Sequence, residues 1–201
     1  MPDGSLLVSK AGHSVPVTTK DDALQPEELA PSGGVWQGLL FDNPRSGYEL
    51  SLTWTFSFDY APVRRSHGET VPGLVFDWVR LGRCSWTTIA GQQATAHRFG
   101  EPIETSAYFF EHYRYEEAEI RILEQRGWEI FVAAGARGDI DGLGIDPLQA
   151  DEWLLFGGIF VQPNLPPLNA GEAKRLLAGF TDTTALVGVP REHNYLFKPA
   201  G

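Results

Sequence analysis

Residues 136–149, ARGDIDGLGIDPLQ, hold the densest potential chemistry in the chain. Asp139, Asp141 and Asp146 are threaded through Gly138, Gly142 and Gly144 directly after an apolar run. Carboxylates so spaced could bind a cation, hold the metal of a sugar-nucleotide site, or serve as turn and cap residues. An EF-hand loop needs oxygen ligands at positions 1, 3 and 5, glycine at 6 and glutamate at 12. Counted from Asp139, Asp141 and Gly144 fit, but Leu143 and Ala150 stand where two of the oxygen ligands belong. A DxD reading of Asp139 and Asp141 lacks the preceding half of alternating strands and helices that binds a nucleotide.

The architectural reading accounts for more of the loop. Asp146-Pro147-Leu148-Gln149 spells an N-cap aspartate, a proline at the first helical position and a glutamine at the third. It predicts a helix from Pro147 to Phe156, stopped by Gly157-Gly158. Gly142 and Gly144 then supply positive-φ turns, and Asp139 and Asp141 are solvated turn residues.

Other candidate chemistry is scattered. None of His13, His67, His97, His112 and His193 falls in an HExxH pattern, and one cysteine cannot build a common structural zinc site. No metal or cofactor is expected. Cys84 could act as a nucleophile with His97 or His112 only if its pKa were lowered. In a strand it is better read as a small buried hydrophobe. Paired-carboxylate catalysis by members of the Glu111, Glu116, Asp139 and Asp141 set needs separations that only the tertiary structure sets. The chain has no GxSxG elbow, no GxGxxG and no P-loop. No catalytic residue is assigned.

The charge balance narrows the partners. With 26 acidic against 16 basic side chains the net charge is −10, which disfavours nucleic acid and anionic membrane and suits a cationic partner. The only basic knot is Arg64-Arg65-Ser66-His67. There is no long apolar span, no signal-peptide pattern and no even set of cysteines, so a cytoplasmic protein is expected.

The elements that must position these groups are mainly strands. Residues 5–9 and 14–19 suggest a hairpin, and Pro26 could open one helical turn. YELSLTWTFSFDY (48–60) alternates apolar and polar residues over its whole length, the mark of a half-buried strand. Segments 73–82, 84–90, 94–100 and 105–115 follow as an antiparallel meander, because their connections are too short for parallel crossovers. Within it, Phe76 and Trp78 should share one strand face and Asp77 the other.

Residues 115–127 change texture and predict a helix ended by Gly127, although AEIRI also alternates and leaves a strand open. WEIFVAA (128–134) is a buried strand. Asn169, with Glu172 three residues on, caps a helix carrying Ala173, Leu176, Leu177 and Phe180 on one stripe. Segments 185–189 and 193–197 add late strands.

The expected fold is therefore α+β in one domain over residues 1–201: mainly antiparallel β-sheet or sandwich, with two or three helices in the C-terminal half. The expected function is non-enzymatic binding, of the inhibitor or immunity type, that occludes a protein with a basic surface. Asp139, Asp141, Glu111, Glu116 and Glu117 are the candidate contact residues, set against a plain solvated-surface role for each. A hydrolase with a non-local carboxylate and histidine site, or a structural subunit of a phage or secretion assembly, are the alternatives.

Overall fold

The computed structural model describes residues 23–200 apart from positions 67, 83, 165–168 and 193. The expected hairpin of residues 5–19 lies outside these, as do His13, His67 and His193. A 3-10 turn forms at Pro26–Glu28, where the proline predicted one, and a second at Pro44–Ser46. Twelve strands and one α-helix follow among the described residues.

Strand β1 spans Pro31–Asn43, β2 Tyr48–Tyr60, β3 Val63–Arg65, β4 Gly68–Thr70, β5 Gly73–Val79 and β6 Gln93–Ala96. Then come β7 (Glu104–Phe109), β8 (Glu111–Arg126), β9 (Glu129–Asp139), β10 (Leu148–Gln162), helix α1 (Ala170–Leu177), β11 (Leu186–Pro190) and β12 (Tyr195–Pro199). The pairings run β1-β2-β5-β7-β8-β9-β10, and β10 pairs back onto β1. Every contact in this ring is antiparallel except β1 with β10, so the strands close into a seven-stranded barrel. Closure leaves the ring itself without a free edge. β6 extends the β7 side of β8, while β12 and then β11 continue beyond β9 along β10.

Two expected helices are strands, which overturns the α+β reading with two or three helices: the fold is mostly antiparallel sheet with one short α-helix. Residues 115–126 belong to β8, where Ala118, Ile120 and Ile122 are buried and Glu119 and Arg121 are exposed, and Gly127 lies in the turn to β9. The alternation in AEIRI prevails over the helix-forming composition, because a strand paired on both sides buries its apolar face by period two. Residues 148–156 belong to β10, paired with β9 from Leu148↔Ala136 to Leu155↔Glu129. Gly157-Gly158 stops no helix. It is a bulge at which Trp36↔Phe156 steps to Gln37↔Gly158. Gly158 has φ +107, and a Cβ there would lie 2.6 Å from the Phe197 carbonyl oxygen. The expected strand at 84–90 is a loop of turns whose Trp86 and Ile89 are buried.

β2 has the bounds and burial that its alternation predicts, with Trp54, Phe56, Phe58 and Tyr60 buried. These four side chains join Trp36, Phe76 and Phe156 in an aromatic core. The Trp36 ring lies 5.3 Å from Trp54 and 4.5 Å from Phe156, and Trp86 stacks on Phe156 at 4.7 Å. Each such side chain taken fully out of water contributes roughly 1.5–3 kcal/mol. Trp86 is fixed from outside the barrel: its indole N–H donates to the Asp182 carbonyl at 2.9 Å, and its backbone N–H to Thr181 Oγ1 at 3.1 Å. Helix α1 sets that turn. Asn169 caps it, accepting from the Glu172 N–H at 3.0 Å, and Ala173 and Leu177 are buried.

Candidate functional site

The aspartate loop joining β9 to β10 is built from its own hydrogen bonds. Asp139 Oδ1 accepts from the Gly142 N–H at 2.8 Å and its Oδ2 from the Gly144 N–H at 2.7 Å. The two glycines adopt φ +83 and +87, which presents those donors to one carboxylate. Asp146 caps no helix; its Oδ2 accepts from the Gly138 and Asp139 N–H groups across the loop at 3.1 and 3.4 Å. Asp141 binds the Arg114 guanidinium through both oxygens, at 2.7 and 2.9 Å. Of the loop's apolar residues Ile140 is exposed while Leu143 and Ile145 are buried, and Tyr115 Oη donates to the Ile145 carbonyl at 2.7 Å. Burial pushes the Tyr115 hydroxyl well above its ordinary pKa, with the Asp139 and Asp146 charges adding to it. The three acids act here as scaffold for a loop folded over Tyr115.

The other candidates are spread. Glu111, Glu116 and Glu117 are exposed on β8, with Glu111 paired across from Phe109 at the far end of the β7–β8 hairpin. His97 lines a shallow trough of about 270 Å³ with Glu117 and Glu119. His112 stands elsewhere, its ring 5.3 Å from Tyr108. Among the described residues no group of three His, Cys, Asp or Glu could hold a metal ion. Burial pushes the Cys84 thiol up, the opposite of what a nucleophile requires.

A further concavity lies where sequence reasoning placed nothing. A cleft of about 650 Å³ opens on the outer face of β1, β2 and β5, floored by Ser51 and Thr53. Phe41, Tyr48 and Trp78 give it aromatic walls, while Arg80, Glu101 and Glu104 bring charge. The Phe41 and Trp78 rings meet as a corner, centroids 5.8 Å apart and planes at 56°. Trp78 is 41% exposed and Tyr48 56%. Arg80 also lines an adjoining hollow of about 330 Å³ beside Leu81, Cys84 and Phe180.

A bulge aims Trp78 outward. Phe56 pairs with Phe76 but Trp54 with Val79, so Asp77 and Trp78 together oppose Thr55. Trp78 takes φ +62, a left-handed conformation that costs a bulky residue of order 1–3 kcal/mol. Thr55 Oγ1 holds the bulge by donating to Asp77 Oδ1 at 2.6 Å. Phe76 and Trp78 therefore do not share a face: Phe76 is fully buried and Trp78 points into the cleft. Bulges recur next to binding sites because they re-aim a side chain in this way.

An acidic row leads away from the cleft. Asp77 of β5 pairs with Glu104 of β7. Continuing the Thr105↔Tyr115 register by one residue sets Glu104 opposite Glu116, while Glu117 turns to the other face of β8, into the trough with His97. The structure thus brings one of the sequence candidates, Glu116, toward the cleft residue Glu104, and turns Glu117 away from it. Asp139 and Asp141 stay within their loop. No local signature marks Phe41, Arg80 or Glu101, which meet only through long-range pairing. The one available signal was the two-aromatic run FDWVR, whose period breaks at the bulge.

Comparisons with protein-family models, with curated proteins and with solved structures found no match to this chain.

Proposed function

We propose that this chain is a non-enzymatic binding protein that docks on a protein with a basic surface, using the aromatic-walled cleft and the acidic row beside it. The observation that carries the reading is Trp78: a large aromatic is held exposed, in an unfavourable backbone conformation, at the mouth of a cleft whose rim carries Glu101 and Glu104. Exposed tryptophan and tyrosine are the side chains that anchor protein interfaces. A net charge of −10 speeds association with a basic target. Occlusion of the partner's own site, as an inhibitor or immunity-type protein performs it, is the role that suits a cleft presented on a closed barrel. The hydrolase alternative is less well served, because Asp139 and Asp141 spend their oxygens on backbone N–H groups and on Arg114.

An affinity capture of the tagged protein from its own cells tests the reading. A stoichiometric basic partner, released by salt and lost when Glu101, Glu104, Glu116 and Glu117 are changed together to glutamine, is the expected result. Salt weakens attraction between exposed charges, so a complex indifferent to ionic strength would overturn the electrostatic part. Recovery of many copies of the chain itself would instead favour an assembly subunit.

A further inference from the structure

We infer that the cleft between Phe41 and Trp78 receives a single lysine or arginine side chain of the basic partner, with Arg80 holding a carbonyl oxygen of the same segment. The inference rests on the binding reading above and specifies what enters the site. Tryptophan offers the best aromatic face for a cation, and two rings meeting as a corner enclose it better than one. The Phe41–Trp78 corner has this form, and Tyr48 stands on the same lining.

Charge supplies the second argument. Glu101 and Glu104 line the cleft, and none of the described salt bridges involves either of them. An incoming ammonium or guanidinium would meet both the ring faces and these carboxylates. A phosphate or carboxylate ligand would meet two like charges, and a neutral sugar would leave them unmatched. Arg80 carries donors only, so it suits the carbonyl oxygens that flank a side chain in a peptide segment. A cleft of about 650 Å³ falls within the usual span of ligand sites and has room for the side chain and its adjoining backbone.

The test uses the whole protein labelled with nitrogen-15 and follows the Trp78 indole N–H resonance, assigned by its loss in Trp78→Phe. The probes are acetyl-Gly-Lys-Gly-amide, acetyl-Gly-Arg-Gly-amide, acetyl-Gly-Gln-Gly-amide and methyl glucoside. The basic peptides should move the resonance at millimolar concentration, with the glutamine peptide about two- to fivefold weaker or worse. Glu101→Gln with Glu104→Gln should weaken the basic peptides by about two- to fivefold and leave the glutamine peptide unchanged. Equal response to the glutamine peptide or to the glucoside overturns the inference, as does silence toward all four probes. If the cellular partner is still captured by Trp78→Gly, the cleft assignment fails while the binding reading stands. If no basic partner exists yet the basic peptides bind selectively, the site stands and the partner reading fails.

Discussion

The Arg114 guanidinium and the Asp141 carboxylate meet edge to edge, Nε to Oδ2 at 2.9 Å and Nη2 to Oδ1 at 2.7 Å, and the Arg114 backbone N–H adds a third donor to Oδ2 at 2.8 Å. These bonds, the guanidinium first and the backbone donor next, pull the Asp141 carboxyl from its ordinary 3.8 down to about 2. A depressed carboxylate pKa stabilises the folded state above the unfolded value, and that contribution is lost as pH falls through the folded one. A carbon-detected titration should find Asp141 ionised at pH 3. In Asp141→Asn the stability deficit relative to the parent should be full at pH 6 and fade between pH 4 and 2. A deficit that persists unchanged into that acid range would show that the pair contributes through shape alone.

Arg65 and Glu28 form a second pair, more deeply set. The Arg65 side chain is 8% exposed and Glu28 33%, and Arg65 Nη2 also donates to the Ala23 carbonyl at 3.0 Å. The hydrogen bond from Arg65 lowers the Glu28 pKa below its ordinary 4.5. This pair ties the segment before β1 to the β3–β4 hairpin. Glu28→Gln removes the Glu28 carboxylate from beside a buried guanidinium and should cost about 1–3 kcal/mol, discounted for the solvent that reaches Glu28. The double variant Glu28→Gln with Arg65→Met should recover part of that loss in denaturant melts, because the buried charge is gone with its carboxylate. Additive losses would mean that the two side chains do not act as a pair.

Trp78 separates backbone strain from ring function. Trp78→Gly suits φ +62, so its stability should stay within about 1 kcal/mol of the parent. Trp78→Val keeps a side chain in that conformation and loses the ring contact with Phe41, so it should fall by about 1–2 kcal/mol more than the glycine variant. The reverse order would show that the bulge relaxes when the indole is removed.

Gly158 and Gly142 should respond very differently to alanine. At Gly158 a Cβ would meet the Phe197 carbonyl oxygen at 2.6 Å and Leu196 at 2.9 Å, whereas at Gly142 it would meet nothing within 4 Å. Gly158→Ala should cost about 2–4 kcal/mol, combining an unfavourable φ with overpacking. Gly142→Ala should cost only about 1 kcal/mol, for its φ alone. Similar losses in thermal melts would contradict the close approach of β10 and β12.

Tyr115 ties the aspartate loop to β8 through its hydroxyl. Tyr115→Phe strands the Ile145 carbonyl and should cost about 1 kcal/mol at neutral pH. The Tyr115 hydroxyl pKa is raised by burial, so the folded state favours the protonated form. Its contribution is complete below the ordinary value of 10.0 and is lost as pH rises above it. Ultraviolet titration of Tyr115→Phe should therefore remove a tyrosine that ionises late, not one that titrates normally.

The chain itself determined those features that local chemistry dictates. Alternation over 48–60 defined β2 to its ends, because a half-buried strand must alternate whatever it pairs with. Asn169 announced α1, because a cap is satisfied within three residues of itself. The glycines among the aspartates announced a tight loop, and the hydrogen bonds from Gly142 and Gly144 to Asp139 supply its local cause. Only the tertiary structure decided the rest. The helix-forming residues of β8 and the Asp146-Pro147 start signal yielded to pairing with strands on either side, since a ladder satisfies the backbone and buries Ala118, Ile120, Ala150 and Leu154 at once. Closure of the barrel depends on β1 meeting β10 across more than a hundred residues, and no local pattern encodes that encounter. The cleft has the same origin: Phe41 of β1, Trp78 and Arg80 at the end of β5 and Glu101 of the loop before β7 meet only on folding, and one bulge opposite Thr55 turns the indole from the core to the solvent.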